Sequence, residues 1–137
     1  MSALVLDSEA FSILARARSG PQHSTVQAAL RAALDSTVDV LVPAAVLAEQ
    51  YRGGSHDQVV DSYLGRSTGI TVADTTRHLA RRIGNLLTRA SRGSEDHVDA
   101  AAVAVAISAG GGVILTGDPD DLCAIAEGVV GVTIEPV

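Results

Sequence analysis

Asp7 and Asp118 each stand just beyond a short apolar run, Ala3 to Leu6 and Val113 to Thr116, and this recurring arrangement restricts the fold more than any other feature of the chain. Short, partly β-branched runs closed by a polar residue are the pattern of strands buried on both faces. Val38 to Val42, Ile70 to Ala73 and Val130 to Ile134 repeat it. The stretches between them read as helices. The first runs from Glu9 to Arg18 and is closed by Gly20-Pro21. Ser24 caps a second, through Leu34. Pro43 opens a third that carries Val46, Leu47 and Glu49 and stops at Gly53-Gly54. Others are expected over Asp57 to Leu64, over Thr75 to Ala90 with Asp74 as cap, from Ser94 or Glu95 to Ala109, and over Pro119 to Glu127. Strands alternating with helices on short links predict an α/β fold: a parallel sheet of four to five strands, helices on both faces, in a single domain over residues 1–137.

Composition narrows the chemistry. With 47% hydrophobic residues but one Phe, two Tyr and no Trp, the core must come from Ala, Val, Leu and Ile, and base-stacking platforms are excluded. All basic residues are Arg, so Schiff-base chemistry and a phosphate-loop lysine are excluded too. A net charge of −6 argues against general nucleic-acid coating. A divalent cation held by several carboxylates reverses the local field, however, and lets an acidic protein hold a phosphodiester. The lone Cys123 rules out an internal disulfide or thiolate metal cage and points to a reducing compartment, the cytoplasm. No basic region precedes the first apolar run, so no signal peptide is expected. The uncharged stretch from Ala100 to Gly117 is interrupted by Gly110, Gly111 and Gly112 and reads as helix, turn and strand, so no membrane span is predicted.

Ligands of doubly wound sheets bind beyond the carboxyl ends of the strands, where the winding reverses. If the first and fourth strands are neighbours, Asp7 and Asp118 face each other there. Glu49 and Asp99 are embedded among apolar neighbours, in Val46-Leu47-Ala48-Glu49 and Val98-Asp99-Ala100-Ala101, as expected of acids that face a shared site. Clustered carboxylates repel one another unless a cation is present, and hard oxygen donors select Mg²⁺ or Mn²⁺. The chemistry this suggests is metal-assisted phosphodiester hydrolysis, with one carboxylate as general base. Each acid also has a plain structural role: Asp7 as a helix cap, Glu49 as a solvated residue, and Asp96, Asp120 and Asp121 as partners of helix dipoles. Arg16 and Arg18, at the end of the first helix, are the basic residues nearest the crevice and candidates for contact with a phosphodiester substrate. Arg77, Arg81, Arg82, Arg89 and Arg92 offer a second basic face.

Four segments together resemble the PIN domain of the VapC toxin type: Leu4-Val5-Leu6-Asp7-Ser8, Pro43-Ala44-Ala45-Val46-Leu47-Ala48-Glu49, Val98-Asp99-Ala100-Ala101 and Ile114-Leu115-Thr116-Gly117-Asp118-Pro119-Asp120-Asp121-Leu122. The resemblance implies a three-layer α/β/α PIN-like domain and a Mg²⁺-dependent endoribonuclease, with Mn²⁺ able to substitute. It also implies the toxin role of a type II toxin-antitoxin pair. The family's catalytic acids map to Asp7, Glu49, Asp99 and Asp118, with Asp7, Asp99 and Asp118 as metal ligands. Asp121 and Asp96 correspond to additional acids of some members, and Thr116 and Ser8 to polar residues beside the metal. Further implied are an RNA substrate, a homodimer and a cognate antitoxin that blocks the acidic crevice, for which an inserted Arg would suit clustered carboxylates. The competing reading is a catalytically weak PIN-like protein-binding module. Phosphoryl transfer through an aspartate is disfavoured by the missing lysine, and Asp7-Ser8-Glu9 lacks a second aspartate.

Overall fold

The computed structural model describes residues 2–17, 19–66 and 69–137. Strand β1 (Ala3–Leu6) is followed by helices α1 (Ser8–Arg16) and α2 (Pro21–Asp35), and β2 (Asp39–Pro43) by α3 (Ala44–Gln50) and α4 (Ser55–Gly65). After β3 (Ile70–Ala73) come α5 (Arg77–Arg89), a 3-10 turn (Ser94–Asp96) and α6 (His97–Ser108). The chain closes with β4 (Gly112–Thr116), α7 (Pro119–Ala126) and β5 (Val132–Pro136). All five strands are parallel, in the order β3-β2-β1-β4-β5. The chain winds outward from β1 through β2 to β3, then returns to the other side of β1. The reversal falls between β1 and β4, so their carboxyl ends frame the crevice that such sheets use for ligands.

Successive strand residues face opposite sides, and the core divides accordingly. Leu4 and Leu6 pack with Phe11, Val26, Leu30, Val46 and Val60, under α1 to α4. Val5 packs with Ile83, Ile114, Leu122 and Ile125, under α5 to α7. The result is a three-layer α/β/α arrangement. Helix α6 is apolar on every side, as a fully buried helix must be, and Ala100 through Ala106 are all buried. Its small side chains let it press against both the sheet and α5. Among the described residues, no helix is long and apolar enough to cross a membrane.

The expected strands are present, β1 and β3 with the expected bounds and β2, β4 and β5 with shifted ends. Pro43 ends β2, opposite Ala73 in the register, and is the extended cap of α3 rather than its first turn. That helix stops at Tyr51, before Gly53-Gly54. Pro21 does not close the first helix but opens the second at its first position, where a missing N–H costs nothing. Thr76 rather than Asp74 caps α5, its hydroxyl accepting the Leu79 N–H at 3.1 Å. The last strand begins at Val132, because Val130 is 96% exposed and Gly131 turns the chain with φ +86°. At Gly112 a Cβ would meet the Ala3 backbone, so glycine there is what lets β4 lie against β1.

Candidate metal centre

Asp7 is the first residue past β1. Its N–H donates to the Leu115 carbonyl at 3.1 Å, which carries the β1–β4 pairing one step beyond the strand. Its carboxylate caps α1 by accepting the Ala10 N–H at 3.0 Å, and the residue is only 6% exposed. Burial pushes this carboxyl above its ordinary value, while hydrogen bonds from the Ala10 N–H and the Thr116 hydroxyl act in the opposite direction. Thr116, fully buried at the end of β4, also accepts the Asp118 N–H at 2.8 Å. One hydroxyl therefore connects the acids at the two strand ends.

Asp99 enters the crevice from the first turn of α6. Burial, followed by the charges of Asp121, Asp7, Asp118 and Asp96, pushes its carboxyl up to about 6. The acids acting on Asp99 thus come from β1, from the 3-10 turn before α6 and from the start of α7. The tightest grouping is Asp96, Asp99 and Asp121, which offer carboxylate oxygens all within 4.8 Å of one another. Asp118 and Asp121, three residues apart on one side of the α7 start, share a hydrogen bond that pushes Asp118 upward. Asp121 is pulled below its ordinary value, first by the Arg92 guanidinium and then by Asp118.

The closest trio therefore contains Asp96 and Asp121, which the family pattern gives only as additional acids, together with the expected Asp99. Asp7 and Asp118 border it from the strand ends. Glu49 is exposed on α3 and is not among the acids that act on Asp99. Its neighbour Gln50 turns inward instead, on the face of Val46 and Leu47. The Gln50 side-chain amide donates to the Ser8 hydroxyl at 2.8 Å and to the Ser8 carbonyl at 3.0 Å. Helical spacing carried that signal, since Gln50 lies four residues after buried Val46 and three after Leu47.

Arg16 donates to the Gln50 carbonyl at 3.2 Å and lines a groove between α1, α2 and α4, so its guanidinium is engaged away from the carboxylates. That groove, about 1030 Å³ and walled in part by Leu30, Leu34 and Val59, does not include Asp7, Asp99, Asp118 or Asp121. The chemistry follows the carboxylates rather than the volume. Arg18 lies outside the described residues. The cation that does reach the acids is Arg92, in the loop after α5. Its Nη1 stands 3.0 Å from Asp121 Oδ1 and 3.4 Å from Asp96 Oδ2.

The donor set suits a hard divalent cation. All its ligand atoms are carboxylate oxygens, and the trio's spacing is compatible with oxygens placed around one ion at about 2.0–2.6 Å each.

Comparisons with known proteins agree with this topology. The chain superposes on the solved VapBC2 of Rickettsia felis, bound to a DNA fragment from its promoter, with a TM-score of 0.63 at 12% identity over 98% of both chains. It matches DNA-bound VapBC from Salmonella typhimurium with a TM-score of 0.63 at 18% identity, over 99% of this chain and 98% of the other. At those identities the likeness is one of fold. No curated protein matches the sequence. The PIN domain family model matches residues 4–128, a span that takes in every acid gathered around Asp99, and the chain belongs to the PIN domain family.

Proposed function

We propose that this protein is a divalent-metal-dependent endoribonuclease of the VapC type, the toxin of a type II toxin-antitoxin pair. The observation that carries the proposal is the convergence of Asp7, Asp96, Asp118 and Asp121 on Asp99 at the sheet's point of reversal. A fold-supporting acid has no reason to join four others in one crevice. Asp99, Asp96 and Asp121 are read as the nearest ligands of Mg²⁺ or Mn²⁺, with Asp7 and Asp118 completing the set. Glu49 remains a candidate through the family pattern alone.

A bound divalent ion would supply Lewis-acid activation of water and neutralise charge on the phosphate. The protein's own groups do the positioning. Thr116 orients Asp7 and Asp118 from a dry position behind them, and Gln50 fixes Ser8 beside Asp7. In the reaction an oxygen of water bonds to phosphorus as the opposite P–O bond breaks. The proton lost by water goes to a carboxylate of the group, and the departing oxygen is protonated.

The two VapBC complexes among the structural neighbours support an antitoxin partner for this chain, and the lone cysteine supports a cytoplasmic site of action. An RNA substrate and a homodimeric state complete the reading. Purified protein should cut single-stranded RNA internally with Mg²⁺, stop with EDTA, and lose the activity in Asp99→Asn. Intact RNA after prolonged incubation with wild-type protein and either metal would favour the binding-module reading instead. Expression alone should arrest growth and co-expression with the neighbouring gene product should relieve it.

A further inference from the structure

Among the described residues, the two ion pairs of the chain both use Arg92 and both enter the acidic crevice. Although the chain has ten arginines and sixteen acids, the ion pairs among its described residues gather at one point. The anchoring of Arg92 explains how it gets there. Its backbone N–H donates to the Leu87 carbonyl at 2.8 Å and closes the end of α5, with Ser91 before it at φ +56°. The root of the side chain is therefore fixed. The side chain beyond it is 31% exposed and long enough to pivot without disturbing the fold.

Its hold on the acids is not a strong one. Both contacts run through a single nitrogen, one of them at 3.4 Å, so neither is the two-pronged pairing that makes arginine and carboxylate bind tightly. Yet the two carboxylates it takes, Asp96 and Asp121, are two of the three whose oxygens lie close enough to share an ion. A guanidinium paired with these two carboxylates competes with a divalent cation for their oxygens.

We infer that Arg92 is a tethered counter-ion of the acidic crevice, which closes Asp96 and Asp121 in the metal-free protein and must swing away before a divalent cation can load. The inference rests on the reading of the crevice as a metal site. Arg92 lowers apparent metal affinity by the fraction of molecules in which it is closed. Two partly exposed pairs hold it closed in most of them, for a difference of about threefold to tenfold.

Calorimetric titration of Mn²⁺ into the metal-stripped full chain tests this without reference to cleavage. Arg92→Ala and Arg92→Gln should bind Mn²⁺ about threefold to tenfold more tightly than wild type, and Asp99→Asn should lose the heat that marks this site. Circular dichroism melts identify a variant that has failed to fold, and the other then carries the comparison. Affinity equal to wild type, or weaker, in a folded Arg92 variant overturns the inference and leaves the metal site standing. No Mn²⁺ binding by wild type or variants overturns the metal-site reading and the inference with it.

Discussion

Gln50 ties helix α3 to the first residue of α1: its side-chain amide reaches both the hydroxyl and the carbonyl of Ser8, one position past Asp7. Removing the amide leaves these acceptors without that donor beside a buried carboxylate. Gln50→Leu should lower unfolding free energy by about 1–2 kcal/mol in urea denaturation. It should also slow RNA cleavage, while Gln50→Asn, with a shorter reach, should fall between the two.

Asp7 serves as both helix cap and crevice acid, and two substitutions separate these roles. Asparagine keeps a capping oxygen for the Ala10 N–H, so Asp7→Asn should melt near the wild-type temperature. Asp7→Ala should lose about 1 kcal/mol of stability. Both should lose cleavage by about a hundredfold or more, measured as initial rates on one RNA. Near-normal cleavage in Asp7→Asn would remove Asp7 from the reacting set.

Thr116 is buried with its hydroxyl between Asp7 and the Asp118 backbone. Thr116→Val preserves shape but leaves the Asp118 N–H without this acceptor, at a cost of about 1–3 kcal/mol. Thr116→Ser should restore most of both stability and cleavage, which an effect of packing alone would not predict.

Stability without metal should depend on pH through Asp99. Its carboxyl is raised from 3.8 to about 6 in the folded chain, so between those values the native state binds more protons than the unfolded one. Stability contributed by this group therefore falls as pH rises from about 4 to 6, and is regained on acidification. Asp7, raised by burial, acts in the same direction. Asp99 is partly buried, and after allowance for solvent screening the effect is of order 1 kcal/mol. Thermal melts in EDTA from pH 4 to 7 should show this slope in wild type and a shallower one in Asp99→Asn.

Much of this arrangement was legible in the sequence, for identifiable reasons. Strands β1 and β3 have the bounds that their apolar runs predict: β1, at the centre of the sheet, is buried at every residue, and β3, a partly exposed edge strand, stops before Asp74. The edge strand β5 was displaced by two residues, since apolar character alone does not distinguish exposed Val130 from paired Val132. Proline misled twice. At Pro21 and Pro43 the same ring is compatible with ending one element or beginning the next, and only tertiary pairing decides. Asp7 and Asp118 were legible from their position after strands, whereas the nearness of Asp96 and Asp121 to Asp99 depends on how the 3-10 turn and α7 abut. Arg92 was legible only as one of several basic residues at and after α5: its contact with Asp96 and Asp121 exists because α5 delivers a loop to the mouth of the crevice.

The switch-point location of the acids has a consequence for synthesis. β1 is at the centre of the sheet, but the strand and helix that face Asp7 across the crevice are encoded more than a hundred residues later. A nascent chain emerging from the ribosome therefore presents Asp7 early, before the other wall of the crevice has been made. The crevice is complete only when β4 takes its place beside β1. If the proposed nuclease activity is right, the moment at which a new molecule can act is set by folding of its final segments rather than by translation of its first.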